Sequence, residues 1–265
     1  MRTSTSTVKV DGIGPVPVTF TESGDGRPFL LLHGGAGPQS VAGFASLLAG
    51  TGSARVITPT HPGFNATPRP DLLDSVAGLG RLYSGLIDDL DLTGVTVVGN
   101  SIGGWIAAES ALLANPRISS VVLVDAAGLE IEEHPVPDFF SLTLDQVTEL
   151  SYYNPDAFRL DLSSLPEQQK AMMGANRAAL AVYTSTGMAD PGLLGRLPSM
   201  TIPALVVWGA ADRMFTPEHG QAYAAAIPDA QFLLIPEAGH LPQLETPDTL
   251  LKAVGDFAGA HHPAG

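Results

Sequence analysis

Ser101 lies in the sequence GNSIGG, residues 99–104, between an apolar stretch that predicts a buried strand and another that predicts a helix. This spacing matches G-x-S-x-G, in which a sharp strand-to-helix turn exposes the serine and brings the flanking residues so close that glycine is favoured there. The following helix would direct its N-terminal N–H groups and positive dipole towards whatever Ser101 attacks. The pattern predicts a nucleophilic serine, and the alternative is an ordinary helix N-cap.

A serine hydroxyl is a weak nucleophile at neutral pH and needs a histidine base that is oriented by a carboxylate. Asp212 follows the apolar stretch 204–208 and a turn of small residues, and His240 follows the stretch 231–235 and a short loop. Both would therefore lie at the carboxyl ends of strands, where sites at a sheet edge form. The prediction is a triad of Ser101, Asp212 and His240 in that chain order. The alternative for His240 is a loop histidine that caps a helix.

A second aspartate competes with Asp212 for the role of the acid. Asp125 also ends an apolar stretch, residues 121–124, and would orient His240 from the other side. We favour Asp212, because the small-residue turn before it can project the carboxylate over the edge of the sheet. Asp125 would otherwise hydrogen-bond the first turn of the segment that follows it. Glu109, close to the serine motif, is expected to face solvent.

The stretch LLLHGGAG, residues 30–37, runs from a predicted strand into a glycine-rich loop. Such a loop can direct a backbone N–H towards the sheet edge, and together with the N–H of Ile102 it would hold a developing negative charge. Gly35 is the predicted donor in the loop, with Ala36 as the next choice. The loop lacks the G-K-[ST] of a P-loop and the G-x-G-x-x-G of a dinucleotide site, and the chain has no H-E-x-x-H motif. We therefore predict no cofactor and no metal, and we expect His33 to be a structural hydrogen-bonding residue.

Short apolar stretches alternate with helix-like segments through most of the chain. Predicted strands lie at residues 16–20, 29–32, 55–58, 95–98, 121–124, 204–208 and 231–235. Predicted helices lie at residues 75–90, 101–114, 217–226 and 247–258. The strands are rich in Val, Ile and Leu without alternation, as expected of strands covered on both faces, so their order predicts an α/β fold with a mostly parallel sheet. The glycines at 24–26 predict that the first two strands form a hairpin.

One segment interrupts this alternation. From about residue 128 to 200 no convincing strand is found, and several prolines separate amphipathic pieces, of which 142–150 and 167–183 are predicted helices. We interpret this segment as a helical insertion between two strands. Its aromatic side chains would either pack the insertion against the core or line a pocket.

Composition excludes several classes of protein. The chain has 265 residues, of which 45% are hydrophobic, and it contains no cysteine, so disulfides, thiolate zinc sites and cysteine nucleophiles are excluded. The formal charge of −14 would repel a phosphate backbone, so no nucleic-acid partner is expected. No apolar run is long enough to cross a membrane, and the N-terminus lacks the apolar core of a secretory signal. We expect a soluble, cytoplasmic protein whose oligomeric state the sequence does not indicate.

Four motifs together resemble the α/β-hydrolase family, and the resemblance covers residues 16–258. They are LLHGG at 31–35, GNSIGG at 99–104, WGAADRMF at 208–215 and AGHLPQLETP at 238–247. The resemblance implies a central, mostly parallel sheet of eight strands, in a core domain formed by residues 1–127 and 201–265. It also implies a helical cap, residues 128–200, inserted after the sixth strand.

By the same resemblance Ser101 is the nucleophile, Asp212 the acid and His240 the base. We predict a cofactor-independent serine hydrolase that cleaves a small ester-like substrate, a carboxylic ester, lactone or thioester, through an acyl-enzyme. The cap would select an apolar acyl or aromatic group of modest size. The predicted substrate-binding residues are Ala36, Trp105, Phe139, Phe140, Tyr153, Met172, Met173 and Arg177.

Two other functions stay open at this point. The form GNS-x-GG also occurs in relatives that hydrolyse carbon–carbon bonds of dienoic ring-fission products, in which a tryptophan commonly follows the catalytic histidine. Here Leu241 follows His240, although Arg177 could bind a carboxylate as the arginine of that group does. Members with an aspartate nucleophile are disfavoured by Ser101. The alternative of another class is a non-catalytic ligand-binding or signalling protein that retains the triad, because a fold alone does not name an activity.

Overall fold

The computed structural model describes residues 1–185 and 187–261, and a sheet of eight strands runs through its centre. In chain order the strands are β1 (Arg2–Val10), β2 (Gly14–Ser23), β3 (Arg27–Leu32), β4 (Ala54–Pro59), β5 (Val95–Asn100), β6 (Ile118–Val124), β7 (Ala204–Gly209) and β8 (Ala230–Ile235). Across the sheet they lie in the order β1-β2-β4-β3-β5-β6-β7-β8. The pairs that include β2 are antiparallel and the others are parallel. The predicted fold class is confirmed.

Helices cover both faces of this sheet. Within the described residues there are ten α-helices: α1 (Gln39–Gly50), α2 (Val76–Asp89), α3 (Ile102–Leu112), α4 (Leu144–Ser151), α5 (Pro155–Phe158), α6 (Glu167–Tyr183), α7 (Leu193–Arg196), α8 (Pro217–Ala226), α9 (Pro242–Glu245) and α10 (Pro247–Ala260). Alternate side chains of β6 enter two separate cores, one shared with α2, α3 and α8 and the other with α1 and α10. The central strands are therefore buried on both faces, which is why their sequences lack alternation.

The first strands differ from the prediction. The predicted hairpin is wrong, because β2 pairs with β1 and β4, and β3 lies between β4 and β5. The sequence of β1, RTSTSTVKV, was not recognised as a strand because it has few apolar residues. Only its Val8 and Val10 side chains are buried, while Thr and Ser residues, of which Thr favours extended backbone, occupy most of the other positions.

The segment between β6 and β7 contains α4 to α7 and packs over the carboxyl ends of the strands. In α6, the Asn176 Oδ1 atom accepts a hydrogen bond of 2.8 Å from the Asn65 N–H, and the Tyr183 hydroxyl donates one of 2.7 Å to the Pro62 carbonyl. These contacts hold α6 against the loop that follows β4. The predicted boundaries of the cap, 128–200, stay a prediction, and the predicted core range ends with residues 262–265, which lie outside the described residues. None of the described helices has the length and apolar character needed to cross a bilayer.

Candidate active site

Ser101 lies at the turn between β5 and α3, in a strained backbone conformation with φ +59° and ψ −122°. The turn is tight because its glycines touch neighbouring backbone. A β-carbon on Gly99 would lie 2.0 Å from the Gly103 carbonyl oxygen, and one on Gly103 would lie 2.4 Å from the Leu32 carbonyl oxygen. A side chain at either position would displace the turn, so the glycines of the motif are a steric requirement of this elbow.

His240 and Asp212 are brought together by the loops that follow β8 and β7. The distance between His240 Nδ1 and Asp212 Oδ2 is 2.8 Å, and both side chains are buried. The other carboxylate oxygen, Asp212 Oδ1, accepts hydrogen bonds from the backbone N–H groups of Met214, at 2.8 Å, and Phe215, at 3.0 Å. The Phe215 ring stacks on the imidazole, with 5.4 Å between ring centroids. Both the carboxylate and the imidazole are therefore fixed from two sides.

These hydrogen bonds assign the imidazole tautomer. An ionised carboxylate can only accept hydrogen bonds, so His240 Nδ1 must be the donor to Asp212 Oδ2. In the neutral imidazole the proton is then on Nδ1, and Nε2 is left with a lone pair. This is the state of a histidine that can take a proton from a nearby hydroxyl.

Ser101 and His240 line one cavity of about 920 Å³, which is also lined by Gly34, Gly35 and Ala36. Within the described part of the chain the Ser101 hydroxyl has no hydrogen-bond partner. A β-carbon on Gly34 would lie 3.2 Å from the Ser101 β-carbon, so the glycine loop after β3 lies directly against the serine. The cavity thus contains a free hydroxyl, a histidine at its wall and a backbone loop beside both.

The predicted oxyanion donors lie on either side of the serine. Gly35 lines the cavity, and a β-carbon on it would lie 2.8 Å from Leu180 of α6. Ile102 is fully buried and does not itself line the cavity, but its N–H belongs to the first turn of α3, where helix N–H groups lack intrahelical acceptors. Within the described residues neither N–H donates to a backbone carbonyl. Their role as an oxyanion hole stays a prediction.

The group of possible metal ligands found among the described residues is Asp125, Asp212 and His240, whose nearest oxygen and nitrogen atoms lie within 4.8 Å of one another. Two of its ligand atoms, His240 Nδ1 and Asp212 Oδ2, already face each other across a hydrogen bond. A metal would have to displace that proton from a fully buried position. We assign no metal to this group.

Two further histidines support the glycine loop from below. His33 and His61 are completely buried, with 3.7 Å between ring centroids. His33 Nδ1 bonds the Gly34 carbonyl at 2.7 Å and its Nε2 accepts from the His61 N–H, while His61 bonds the Tyr83 hydroxyl and the His33 carbonyl. All four ring nitrogens are thus used within the protein. Burial lowers the pKa of His61 to about 4 and also lowers that of His33.

The buried His61 should make folding sensitive to acid. In the unfolded chain its pKa returns to about 6.5, so between pH 6.5 and 4 the unfolded state binds more protons and stability falls as the pH falls. The free energy of unfolding of the wild type, relative to His61→Gln, should fall by about 2 kcal/mol between pH 7 and 5. Urea unfolding of both proteins at the two pH values measures this, and a difference that does not change with pH would contradict it.

Comparisons with known proteins identify the family of this chain. A model described as the alpha/beta hydrolase family matches residues 29–253. The chain belongs to the alpha/beta hydrolase family. It is 28% identical to a 2-hydroxy-6-oxo-6-phenylhexa-2,4-dienoate hydrolase of Burkholderia cepacia, over 95% of this chain and 94% of that protein. The resemblance predicted from the four motifs is confirmed.

Solved structures show the same fold. A thermophilic esterase from Thermogutta terrifontis is similar with a TM-score of 0.78 and 25% identity, over 98% of this chain and 99% of that chain. A meta-cleavage product hydrolase from Pseudomonas fluorescens has a TM-score of 0.76 and 21% identity, over 96% of this chain and 97% of that chain, which shows the shared fold. The relatives of this alpha/beta hydrolase therefore include both esterases and carbon–carbon bond hydrolases.

Five of the predicted substrate-binding residues line the cavity of this hydrolase: Ala36, Phe139, Met172, Met173 and Arg177. The Arg177 guanidinium lies over the Phe139 ring, 4.7 Å from its centroid, and one nitrogen, Nη2, donates to the carbonyls of Phe139 and Leu142 at 2.7 and 3.1 Å. Across the described residues no carboxylate forms an ion pair with Arg177. Its Nε and Nη1 donors are left for a ligand or for water.

The prediction that Trp105 lines the cavity is wrong. Helix α3 is buried on all sides, and Trp105, one turn after Ser101, points into the core, where its Nε1 donates to Glu109 at 3.3 Å. Glu109, which was expected to face solvent, is buried as well. Its two carboxylate oxygens each accept a hydrogen bond of 2.7 Å from Arg196. Because α3 is enclosed by the core, Glu109 does not indicate a helix face that is exposed to solvent.

The predictions for Phe140 and Tyr153 are also wrong. Both side chains are exposed, Tyr153 to 53%. Their neighbours Phe139, which was also predicted, and Tyr152, which was not, line the cavity. The Tyr152 ring stacks on Phe158 with 4.4 Å between centroids. Consecutive residues in a turn point in different directions, and the sequence did not show which of each aromatic pair faces inward.

Some residues of the site were missed. Asn100, next to the serine, donates from Nδ2 to the His240 carbonyl at 2.9 Å and accepts at Oδ1 from Gln243 at 3.0 Å. Glu245 accepts the Gly239 N–H at 2.6 Å and the Tyr153 N–H at 2.8 Å, so it joins the histidine loop to the segment between β6 and β7. The sequence did contain a signal for these residues, because they are polar and lie within the GNS and HLPQLE motifs. A polar side chain beside a buried motif needs hydrogen-bond partners, so these side chains could have been expected to bond to the site.

Proposed function

We propose that this alpha/beta hydrolase cleaves ester-like substrates through an acyl-enzyme formed on Ser101. The observation that carries the proposal is the buried hydrogen bond between His240 Nδ1 and Asp212 Oδ2 at the cavity that also contains the Ser101 hydroxyl. It leaves His240 Nε2 as the proton acceptor, and it places a buried negative charge where the imidazolium formed during the reaction needs one.

In this mechanism the Ser101 oxygen attacks the substrate carbonyl carbon while His240 Nε2 takes the hydroxyl proton. The N–H groups of Gly35 and Ile102 bind the oxyanion, and each such donor typically contributes about 3–4 kcal/mol to the transition state. The C–O or C–S bond then breaks, and His240 returns the proton to the leaving alcohol or thiol. Water attacks the acyl group with His240 as base, which releases the acid and restores Ser101. Asp212 stays ionised throughout.

The cavity supports a substrate with an apolar acyl or aromatic group. Most of its wall comes from the segment between β6 and β7, which we propose is the cap, residues 128–200. Its apolar lining residues include Phe139, Leu144, Val147, Tyr152, Phe158, Leu160, Leu162, Met172, Met173, Leu180 and Met188. Methionine side chains are flexible and adapt to different shapes, so we propose tolerance of several acyl groups rather than one.

Stoichiometric labelling by a fluorophosphonate, followed by turnover assays with 4-nitrophenyl esters of increasing acyl length, a lactone and a dienoate, tests the proposal. We expect one label per chain on Ser101 and multiple turnovers of medium-length or aromatic esters. Labelling without turnover of any ester, dienoate or lactone would favour the ligand-binding class instead. Absence of labelling would contradict an activated serine altogether.

A second candidate, hydrolysis of a carbon–carbon bond in a dienoate, is favoured by one observation. Arg177 lies in the cavity wall without an acidic partner among the described residues, and it could bind the carboxylate of such a substrate. The curated relative in Burkholderia cepacia is named for this activity. Against it, Leu241 follows His240 and also lines the cavity.

The substitution Arg177→Gln distinguishes these candidates. If Arg177 binds a substrate carboxylate, kcat/KM for a carboxylate-bearing substrate should fall about 10- to 100-fold more than that for a neutral ester, because a hydrogen bond to a charged group contributes roughly 1.5–3 kcal/mol. Steady-state kinetics with both substrates measure the ratio. Arg159→Gln, which removes an exposed cation from the same segment, is the matched control. Equal losses for the two substrates would show that Arg177 only supports the segment it belongs to.

A further inference from the structure

Asp125 is a buried carboxyl group that the proposed reaction does not use. It follows β6 with a φ of +45°, and it is completely buried. Its Oδ1 accepts the Gly209 N–H at 2.8 Å, whereas Oδ2, equally shielded from water, has no partner among the described residues. A buried carboxylate oxygen with no hydrogen bond is costly, so this atom requires an explanation.

The explanation lies in the neighbouring Asp212. Oxygen atoms of the two carboxyl groups and a nitrogen of His240 all lie within 4.8 Å of one another. Two carboxylates this close in a buried site cannot both be ionised, because each disfavours the charge of the other and burial disfavours both charges. One proton must therefore be held by the pair.

The hydrogen bonds decide which residue holds the proton. Asp212 receives three donors, from Met214, Phe215 and His240, which stabilise its charged form. Asp125 receives only the Gly209 N–H, and a proton on its carboxyl group makes that group a hydrogen-bond donor to the neighbouring Asp212. Burial, followed by the charge of Asp212, raises the pKa of Asp125 well above its ordinary value, and Glu245 on α9 acts in the same direction.

We propose that Asp125 is a neutral, protonated positioning residue, which holds the one proton of the pair and leaves Asp212 as the single anion beside His240. The titratable groups that face it are Asp212 after β7, His240 after β8 and Glu245 on α9. The assignment of the proton is independent of the proposed function. The positioning role rests on it, because it acts through Asp212 on the proposed base.

Unfolding measurements with Asp125→Asn test the proton without any substrate. The amide keeps an acceptor for the Gly209 N–H and an uncharged donor at the second position. Unfolded Asp125 ionises near pH 3.9, whereas the folded residue stays protonated. Because the folded state then binds more protons, the free energy of unfolding decreases as the pH rises. The unfolding equilibrium constant of the wild type, relative to Asp125→Asn, should rise about tenfold per pH unit between pH 5 and 7.

The exposed Asp71→Asn variant is the control for this experiment. The ratio of the wild-type unfolding equilibrium constant to that of Asp71→Asn should not change with pH. A ratio that is also constant for Asp125→Asn would overturn the proposal, because it would mean that Asp125 is ionised in the folded protein. Since this result does not involve catalysis, failure of the proposed function would be seen separately, as absence of turnover in the wild type.

Kinetics test the positioning role. Asp125→Ala should lower kcat for a 4-nitrophenyl ester about tenfold, and Asp125→Asn should recover most of that loss. The midpoint of the acid limb of kcat/KM should be the same in Asp125→Asn as in the wild type, because a neutral group replaces a neutral group. A downward shift of that midpoint by a pH unit or more would show that Asp125 carries a charge near His240. Equal losses in both variants would overturn the positioning role.

Discussion

Replacing Ser101 with Ala should reduce ester hydrolysis by about 10⁴- to 10⁶-fold and leave the fold intact. The proposed covalent bond forms at the Ser101 oxygen, and no neighbouring group can replace it at the end of β5. Alanine keeps the β-carbon and so meets the same backbone at the elbow, where φ is +59°. Because the hydroxyl has no hydrogen-bond partner among the described residues, its removal leaves no buried group unpaired.

The measurement compares kcat with the thermal unfolding midpoint for Ser101→Ala and for a matched variant, Ser110→Ala. Ser110 lies on α3, is buried, and donates to the carbonyls of Ile106 and Gly80 at 2.8 and 3.3 Å. Its loss should lower stability by roughly 1 kcal/mol with little change in turnover. Ser101→Ala should instead lose turnover with little change in the thermal unfolding midpoint. If this variant retained more than about one hundredth of the wild-type kcat, the acyl-enzyme on Ser101 would be contradicted.

The fold could be predicted because most of its strands can be recognised from their own short stretches of sequence. Each of β3, β5, β6 and β7 is a short run of apolar residues buried on both faces, and burial on both faces requires helices between successive strands. The elbow could be predicted for a similar reason, since Gly99 and Gly103 each touch backbone within 2.4 Å of where a β-carbon would lie. Contacts of backbone with backbone leave few alternatives to glycine.

What could not be predicted depends on long-range packing. The strand β1 is polar because it lies at the edge of the sheet, and its pairing with β2 is set by the register of two strands rather than by apolar pattern. The cavity wall was missed in part because a residue's direction within a turn depends on what packs behind it. For this reason the sequence did not show that Trp105 contacts Glu109, or that Tyr152 rather than Tyr153 lines the cavity. The protonation of Asp125 follows from three loops that meet only in the folded protein.

Replacing Asp212 with Asn should lower kcat about 10⁴-fold, more than the loss of a hydrogen bond alone would explain. The reason lies in how the carboxylate is held. Its Oδ1 accepts the N–H groups of Met214 and Phe215, so the amide oxygen of an asparagine must occupy that position. The amide NH₂ group then faces His240 Nδ1, which becomes an acceptor, and the imidazole proton moves to Nε2. A protonated Nε2 cannot take the proton of Ser101.

The same substitution decides between the two aspartates. Kinetics across pH 6–9, with Asp71→Asn as the matched control, should show the loss at every pH while thermal stability changes little. A decrease of less than about tenfold would mean that Asp125, the other carboxyl group within 4.8 Å of this cluster, orients the imidazole instead.

Asp125 lacks the pair of backbone donors that fixes Asp212, and in the wild type its charge is suppressed by that neighbour. When Asp212 is neutral, this suppression is relieved, so Asp125 can supply negative charge to the site. It cannot reverse the tautomer that the asparagine imposes, and we therefore expect the double variant Asp125→Asn, Asp212→Asn to be only a few-fold slower than Asp212→Asn.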